Sequence, residues 1–316
     1  MTINQNLHAA GEPAPAFARI IPFVLLLFVG SMIALTVILG KMTIANGIDP
    51  LITLFLAITS SGAFLLLLSR LQQGKLRPDR RFLEYGFCAG ALFVLPNMLS
   101  FLAVSHVGVG YISFTLAFPI LLTYVLALLF KIERFSARRA SAVTLGLVAG
   151  TMLVASKAAL VPQNAQWAIV AAIAPILIAF GNIYRSLRWP QGRSPISLAG
   201  AMLFFGGVLM APLALLRLDA GQLQGIATKP VLFLFVLQFA AYSALYLAYF
   251  ALQKLAGAVY LSQIGSVAAL VGTVIAVAAF GEAMPAAFPF SAAMVVIAVA
   301  LFQSAGQRQV PKNPVR

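Results

Sequence analysis

The sequence predicts an all-α integral membrane protein: ten transmembrane helices in two inverted five-helix repeats, both termini cytoplasmic. Three observations carry that prediction: the composition, the spacing and sidedness of the apolar runs, and an internal match at a fixed offset. Of 316 residues, 62% are hydrophobic and 9% charged, and the mean hydropathy is +1.00. A soluble domain carries about 45–50% apolar and about 25% charged residues. A single soluble core of this size would lack the polar surface to cover itself. The composition therefore excludes a soluble enzyme, a nucleic-acid-binding domain and a disordered chain. Ten helices of about 20 residues use roughly 200 residues and leave short loops.

The apolar stretches fall at 20–40, 50–69, 84–105, 108–130, 140–157, 166–187, 196–216, 231–252, 257–280 and 284–303. Turn and charge signals separate most of them: Asn46-Gly47-Ile48-Asp49-Pro50, Arg77-Pro78-Asp79, Trp189-Pro190-Gln191-Gly192 and Thr228-Lys229-Pro230. Spans three and four are divided only weakly. Read as one helix they would outrun any bilayer, so a tight hairpin is expected at His106-Val107-Gly108. Residues 1–19 are polar and hold Pro13 and Pro15, with neither the basic start nor the apolar core of a secretory signal. They read as a cytoplasmic tail, and the basic residues 304–316 as a second one.

The net charge of +14 comes from 21 Lys+Arg against 7 Asp+Glu. With a cytoplasmic N-terminus, the cytoplasmic segments hold 17 of the 21 basic residues. Lys41, Lys157, Arg217 and Lys229 are the 4 on the other side. That asymmetry is the positive-inside pattern, and it requires an even number of spans. Cys88 is the only cysteine, so no intramolecular disulfide can form.

The internal match pairs Gly108-Val-Gly-Tyr111-Ile-Ser113 with Gly257-Ala-Val-Tyr260-Leu-Ser262, an offset of 149. The offset also pairs Leu121 with Leu270, Val125 with Val274, Ala127 with Ala276 and Glu133 with Glu282. These make seven identities over positions 108–133. The copies lie on spans four and nine. Five spans separate them, an odd number, so the second copy is upside down. Inverted repeats are the plan of many secondary transporters. The repeats are placed at 20–157 and 166–303.

With these motifs the sequence resembles a ten-helix member of the drug/metabolite transporter superfamily, of the EamA type. The resemblance rests on Ala117-Phe118-Pro119, on Glu133, on Ser141-Ala142 through Gly146 and Gly150, and on Gly281-Glu282. It covers about residues 20–303. It implies a transporter, and it points toward export of amino acids and other metabolites. Two departures stand out. Ala268 occupies a position where the second repeat often has proline. Span one lacks the acidic residue that small four-helix relatives use for proton exchange.

Polar residues inside spans mark candidate sites, because hydrocarbon offers them no water. In span eight, Gln238, Tyr242, Tyr246, Tyr249 and Gln253 share one helical face. They can wall a cavity, or they can serve helix packing. In span three Pro96 removes a backbone hydrogen bond and kinks the helix, presenting Asn97 and Ser100. Span four offers Thr115 and Pro119, and span nine offers Gln263, while Asn182 lies toward the cytoplasmic end of span six. Substrate contact is assigned to Asn97, Ser100, Thr115, Gln238, Tyr242, Tyr246, Tyr249 and Gln263, and bending to Pro96 and Pro119. Tyr111 and Tyr260 sit near span ends, where aromatic belts are common. His106 is read as an interfacial residue in a turn, and Glu133 and Glu282 as solvated helix-end groups.

No metal, phosphate-loop or nucleophile–base pattern is visible, so neither a cofactor nor enzymatic chemistry is expected. The expected partners are the lipid bilayer and a small-molecule substrate, with no nucleic acid; a homodimer is compatible with the sequence but not required. The function expected is secondary transport of small organic metabolites such as amino acids, in an energy-conserving or plasma membrane such as the bacterial inner one. A wall of amides, hydroxyls and aromatics without fixed charge suits neutral or zwitterionic solutes. The alternatives are a proton-coupled multidrug exporter of the same fold and a membrane receptor that binds without transport.

Overall fold

The computed structural model describes residues 16–74, 78–115, 118–155, 165–280 and 286–306. Every regular element among the described residues is a helix. In chain order these are α1 (Ala16–Ala45), α2 (Pro50–Gln73), α3 (Arg80–Thr115), α4 (Pro119–Leu129), α5 (Ala137–Ala155) and α6 (Ala165–Leu187). They continue as α7 (Pro195–Leu216), α8 (Ala220–Ile226), α9 (Lys229–Leu261), α10 (Ile264–Phe280) and α11 (Phe288–Gly306). Six of the described helices, α1, α2, α3, α6, α7 and α9, hold stretches long and apolar enough to cross a membrane. Shorter apolar helices cover Pro119–Leu129 and Phe288–Phe302. The N-terminal tail up to residue 15, the basic tail from residue 307, Ala117 and Glu282 lie outside the described residues.

Several helices begin where the sequence supplies a cap. The Asp49 carboxylate accepts from the Leu51 amide at 2.7 Å, and Pro50 opens α2. Ser194 accepts from the Ser197 amide at 3.2 Å ahead of Pro195. Each occupies an orphan amide of a first turn, and proline there lacks only an N–H that would have had no partner.

One boundary differs from expectation. There is no hairpin at His106-Val107-Gly108; α3 is a single helix of 36 residues that ends at Thr115. The chain turns at Phe118, and Pro119 opens α4. Proline has no N–H and restricts the residue before it, so it ends a helix more firmly than glycine. His106 accordingly lies inside the helix rather than in a turn. Its ring stacks on Trp167 of α6, with centroids 4.2 Å apart and planes 9° apart. In the second half the boundary falls at Gly257, whose φ of 80° and ψ of 175° interrupt α9. That conformation is open to glycine and strained for other residues.

The packing has a recurrent pattern. Helix α2 lies along α7, and α5 along α11. Helix α3 packs on α6 and α7, as α9 packs on α1 and α2. Helix α4 lies against α6, as α10 lies against α1. Exchanging α1 with α6, α2 with α7, α3 with α9, α4 with α10 and α5 with α11 maps these most extensive pairings onto one another, whereas lesser ones such as α7 with α9, α3 with α5 and α1 with α2 have no such counterpart.

Helix α7 sits deepest in this arrangement. A Cβ at Gly90 of α3 would stand 2.6 Å from the Gly206 amide nitrogen of α7, so these two backbones touch directly. Small residues that let backbones approach are how helices associate without a hydrophobic drive. Polar ties join loops at either end. Arg193, before α7, donates to Asp79, before α3, at 3.0 Å. At the opposite ends of α2 and α7, Arg217 stands 3.5 Å from Asp49, whose amide donates to Gln222 at 2.8 Å. The loops expected on one side of the membrane thus meet each other, and so do those expected on the other.

Candidate functional site

The polar stripe of α9 runs through the middle of the bundle. Gln238 and Gln253 are fifteen residues apart, about 22 Å along the helix, most of a hydrocarbon core. Tyr242 and Tyr246 stack with centroids 6.1 Å apart, and Tyr249 follows at 5.6 Å from Tyr246. Phe93 of α3 meets Tyr246 edge to face at 5.3 Å. The aromatic column therefore stands where the two halves of the chain meet. The tyrosines are half-buried, which leaves part of each ring open for contact.

The ends of the stripe are tied down. Gln238 is buried and donates to Thr43 of α1 at 2.6 Å. At the other end a polar network joins α4, α6 and α9. Arg185 of α6 donates through Nη2 to Asn182 Oδ1 at 2.6 Å and to the Tyr249 hydroxyl at 2.8 Å. Its Nε donates to Gln253 Oε1 at 3.2 Å. The Tyr249 hydroxyl donates to Asn182 Oδ1 at 3.0 Å, and Asn182 Nδ2 donates to Thr123 of α4 at 3.2 Å. Gln253 Nε2 donates to the Asn182 carbonyl at 3.0 Å and to Ser186 Oγ at 3.1 Å. Asn182, Arg185 and Gln253 are at most 4% exposed.

The remaining candidates are dispersed. Asn97 is exposed, and its Nδ2 donates to the Phe93 carbonyl one turn back, at 2.6 Å, beside the ring that meets Tyr246. Ser100 is half-buried one turn further along α3. Pro96 is buried inside α3 and Pro119 at the start of α4, and Thr115 is buried at the end of α3. Gln263 occupies the turn between α9 and α10. It is 3% exposed, and neither its Oε1 nor its Nε2 has a hydrogen-bond partner. A buried amide in that state is costly, about 1–3 kcal/mol per lost bond. Glu133 is not a free solvated group: it pairs with Arg139, which lies over the Phe302 ring at 5.3 Å.

Sequence reasoning missed Arg185. It stands two residues from the end of α6 and was counted among the cytoplasmic bases that fix topology. The usable signal was Asn182 three residues earlier, which puts both polar groups on one face of an apolar helix. The wall is therefore not free of fixed charge.

Residues 21–156 match the sequence profile of the EamA-like transporter family. That stretch, under half of the chain, is similar to a family of the drug/metabolite transporter superfamily, and together with the long apolar helices it points to an integral membrane protein. Among solved structures, 29 chains match. One of them, titled only "Crystal structure of protein", superposes with a TM-score of 0.73 at 16% identity. The match covers 93% of this chain and 99% of that one, so the fold is shared over nearly the whole length. No curated protein sequence matches.

Proposed function

We propose that the protein is a secondary transporter of small organic metabolites, amino acids first among them. It works by alternating access between two inverted five-helix halves. The observation that carries this reading is the aromatic column of α9, half-buried between halves and facing α3 and α6. One end of it is closed by a buried polar network.

The ten-span, two-fold plan is supported from three directions. The most extensive helix pairings map onto one another when the halves are exchanged. The break at Gly257 falls on the first residue of the second motif copy. The loops tied together by Asp79 and Arg193, and by Asp49 and Arg217, are those that must share a side. Ten spans then count α1–α7, α9, α10 and α11, with the last turn of α9, beyond the break at Gly257, joined to α10, and leave α8 as a short surface helix. The basic residues set both termini in the cytoplasm, so the Arg185 end of the pathway faces inward. The bacterial inner membrane is the setting this fits. Inward and outward shapes would interconvert as the α4–α6–α9 network opens, while Asn97 and Ser100 line the outer portion and Gln238, Thr115 and Gln263 the turns and joints around it.

Counterflow in proteoliposomes tests this reading. Vesicles preloaded with unlabelled amino acids, without a pH gradient, should accumulate a labelled neutral amino acid added outside. A flat trace for every amino acid rejects that substrate class. Accumulation only under an imposed proton gradient favours the proton-coupled exporter instead.

A further inference from the structure

Among the described residues, Arg185 is a buried cation without an anion. Its side chain belongs to a residue 4% exposed, inside an apolar helix. Among the described residues no carboxylate lies within salt-bridge distance of it; the described ion pairs are Glu133–Arg139, Asp79–Arg193 and Asp49–Arg217. Asp219 is occupied as the cap of α8, and Glu84 is exposed. The depth is substantial. Nη1 reaches Met202 Sδ, seven residues into α7 and roughly 10 Å along that helix.

Buried charges are ordinarily paired, and a lone one in a span is costly enough to mark a function. Here neutral partners take most of the donors. Nε and Nη2 are satisfied by Gln253, Asn182 and Tyr249. Nη1, by contrast, has only a thioether at 3.8 Å, a weak acceptor. It sits against Gly181, where even a Cβ would come within 3.2 Å of it. The guanidinium also lies over the Tyr249 ring, 5.4 Å from its centroid. Tyr249 in turn touches Tyr246, so the cation stands at the foot of the aromatic column. For an anionic group at the foot of the column, Nη1 is the least satisfied end of the cation.

We infer that Arg185 is the subsite for a carboxylate carried by the transported solute. The solute would present its carboxylate to Nη1 and its apolar or aromatic part to Tyr246 and Tyr249. This rests on the carrier reading above and narrows it, since decarboxylated or amidated solutes lose the matching charge. Without a solute, Asn182, Tyr249 and Gln253 hold the cation and close the inward end.

The test uses matched probes in proteoliposomes: L-phenylalanine against L-phenylalaninamide, and 3-phenylpropionate against 3-phenylpropionamide. The full-length protein is compared with Arg185→Gln and Arg185→Lys, and monodispersity in detergent establishes that each variant is folded. A charge-assisted pair exceeds a neutral one by enough to give about a 10- to 100-fold preference for the acid of a pair. Arg185→Gln should abolish that preference, and Arg185→Lys should keep part of it, because ammonium retains the charge without the planar fork. Transport by the unaltered protein with equal rates for acid and amide overturns the inference and leaves the carrier standing. So does an Arg185→Gln variant that keeps the full preference. No uptake of any probe by the unaltered protein overturns the carrier reading for these solutes and the inference with it. If neither variant is folded, the preference of the unaltered protein decides alone.

Discussion

Replacing Asn182 by leucine keeps the side-chain volume close but removes three side-chain hydrogen bonds. Two are neutral, to Thr123 and from Tyr249, at 3.2 and 3.0 Å. Neutral interhelical bonds in membrane proteins contribute about 0.6 kcal/mol each. The third accepts from the Arg185 guanidinium at 2.6 Å. Bonds to charged groups contribute about 1.5–3 kcal/mol, and the stranded cation keeps its desolvation cost. Together the loss comes to about 3–4 kcal/mol. For a chain of this length that lowers the unfolding midpoint by about 5–6 °C. The assay is thermal unfolding of the detergent-purified protein, with Asn97→Leu as the internal comparison. Asn97 bonds only to a carbonyl of its own helix, so its loss should shift the midpoint by no more than about 2 °C. A double-mutant cycle with Tyr249→Phe should return a coupling of about 0.5–3 kcal/mol. Equal shifts for Asn182→Leu and Asn97→Leu, or zero coupling, would refute the network as a unit that closes one end of the pathway.

Other perturbations separate packing from passage. Tyr246→Ala should cut transport at least tenfold at near-normal expression, while Tyr246→Phe, which keeps the ring against Phe93, should retain most of it; initial uptake rates in vesicles decide this. Gly90→Ala should lower stability by about 1–3 kcal/mol, because the new methyl meets the α7 backbone. Gly40→Ala, where a Cβ meets nothing within 4 Å, should be neutral or gain up to about 1 kcal/mol of helix propensity; paired melting curves give both numbers. Gly257→Ala places a side chain at φ 80°, at a cost of about 1–3 kcal/mol. It should slow transport as well as destabilise, measured by uptake normalised to folded protein.

Much of this was legible in the sequence because membrane helices announce themselves. Hydropathy gives their centres, and Asp49-Pro50 and Lys229-Pro230 mark starts by turn and proline chemistry, while the Ser194 cap before Pro195 emerges from the structure. The stripe of α9 was visible because 3.6-residue periodicity places Tyr242, Tyr246 and Tyr249 on one face. The division after α3 was misplaced because glycine and histidine weaken a helix less than Pro119 ends one. Arg185 escaped for a different reason. Charge near a span end reads as topology, and only tertiary packing reveals that its side chain turns into the bundle, toward Tyr249 and Gln253. Gln238 illustrates the same limit, since periodicity puts it on the stripe but the Thr43 bond holds it against α1.

The central claim is that the column between α3 and α9 opens alternately to the two sides of the membrane. Cysteines placed singly at Asn97 and at Gln253, in a Cys88→Ser background, can be labelled in sealed vesicles with a membrane-impermeant maleimide added from each side. A saturating transported amino acid should move the two labelling rates in opposite directions. Rates that rise or fall together, or stay fixed while uptake proceeds, would contradict it.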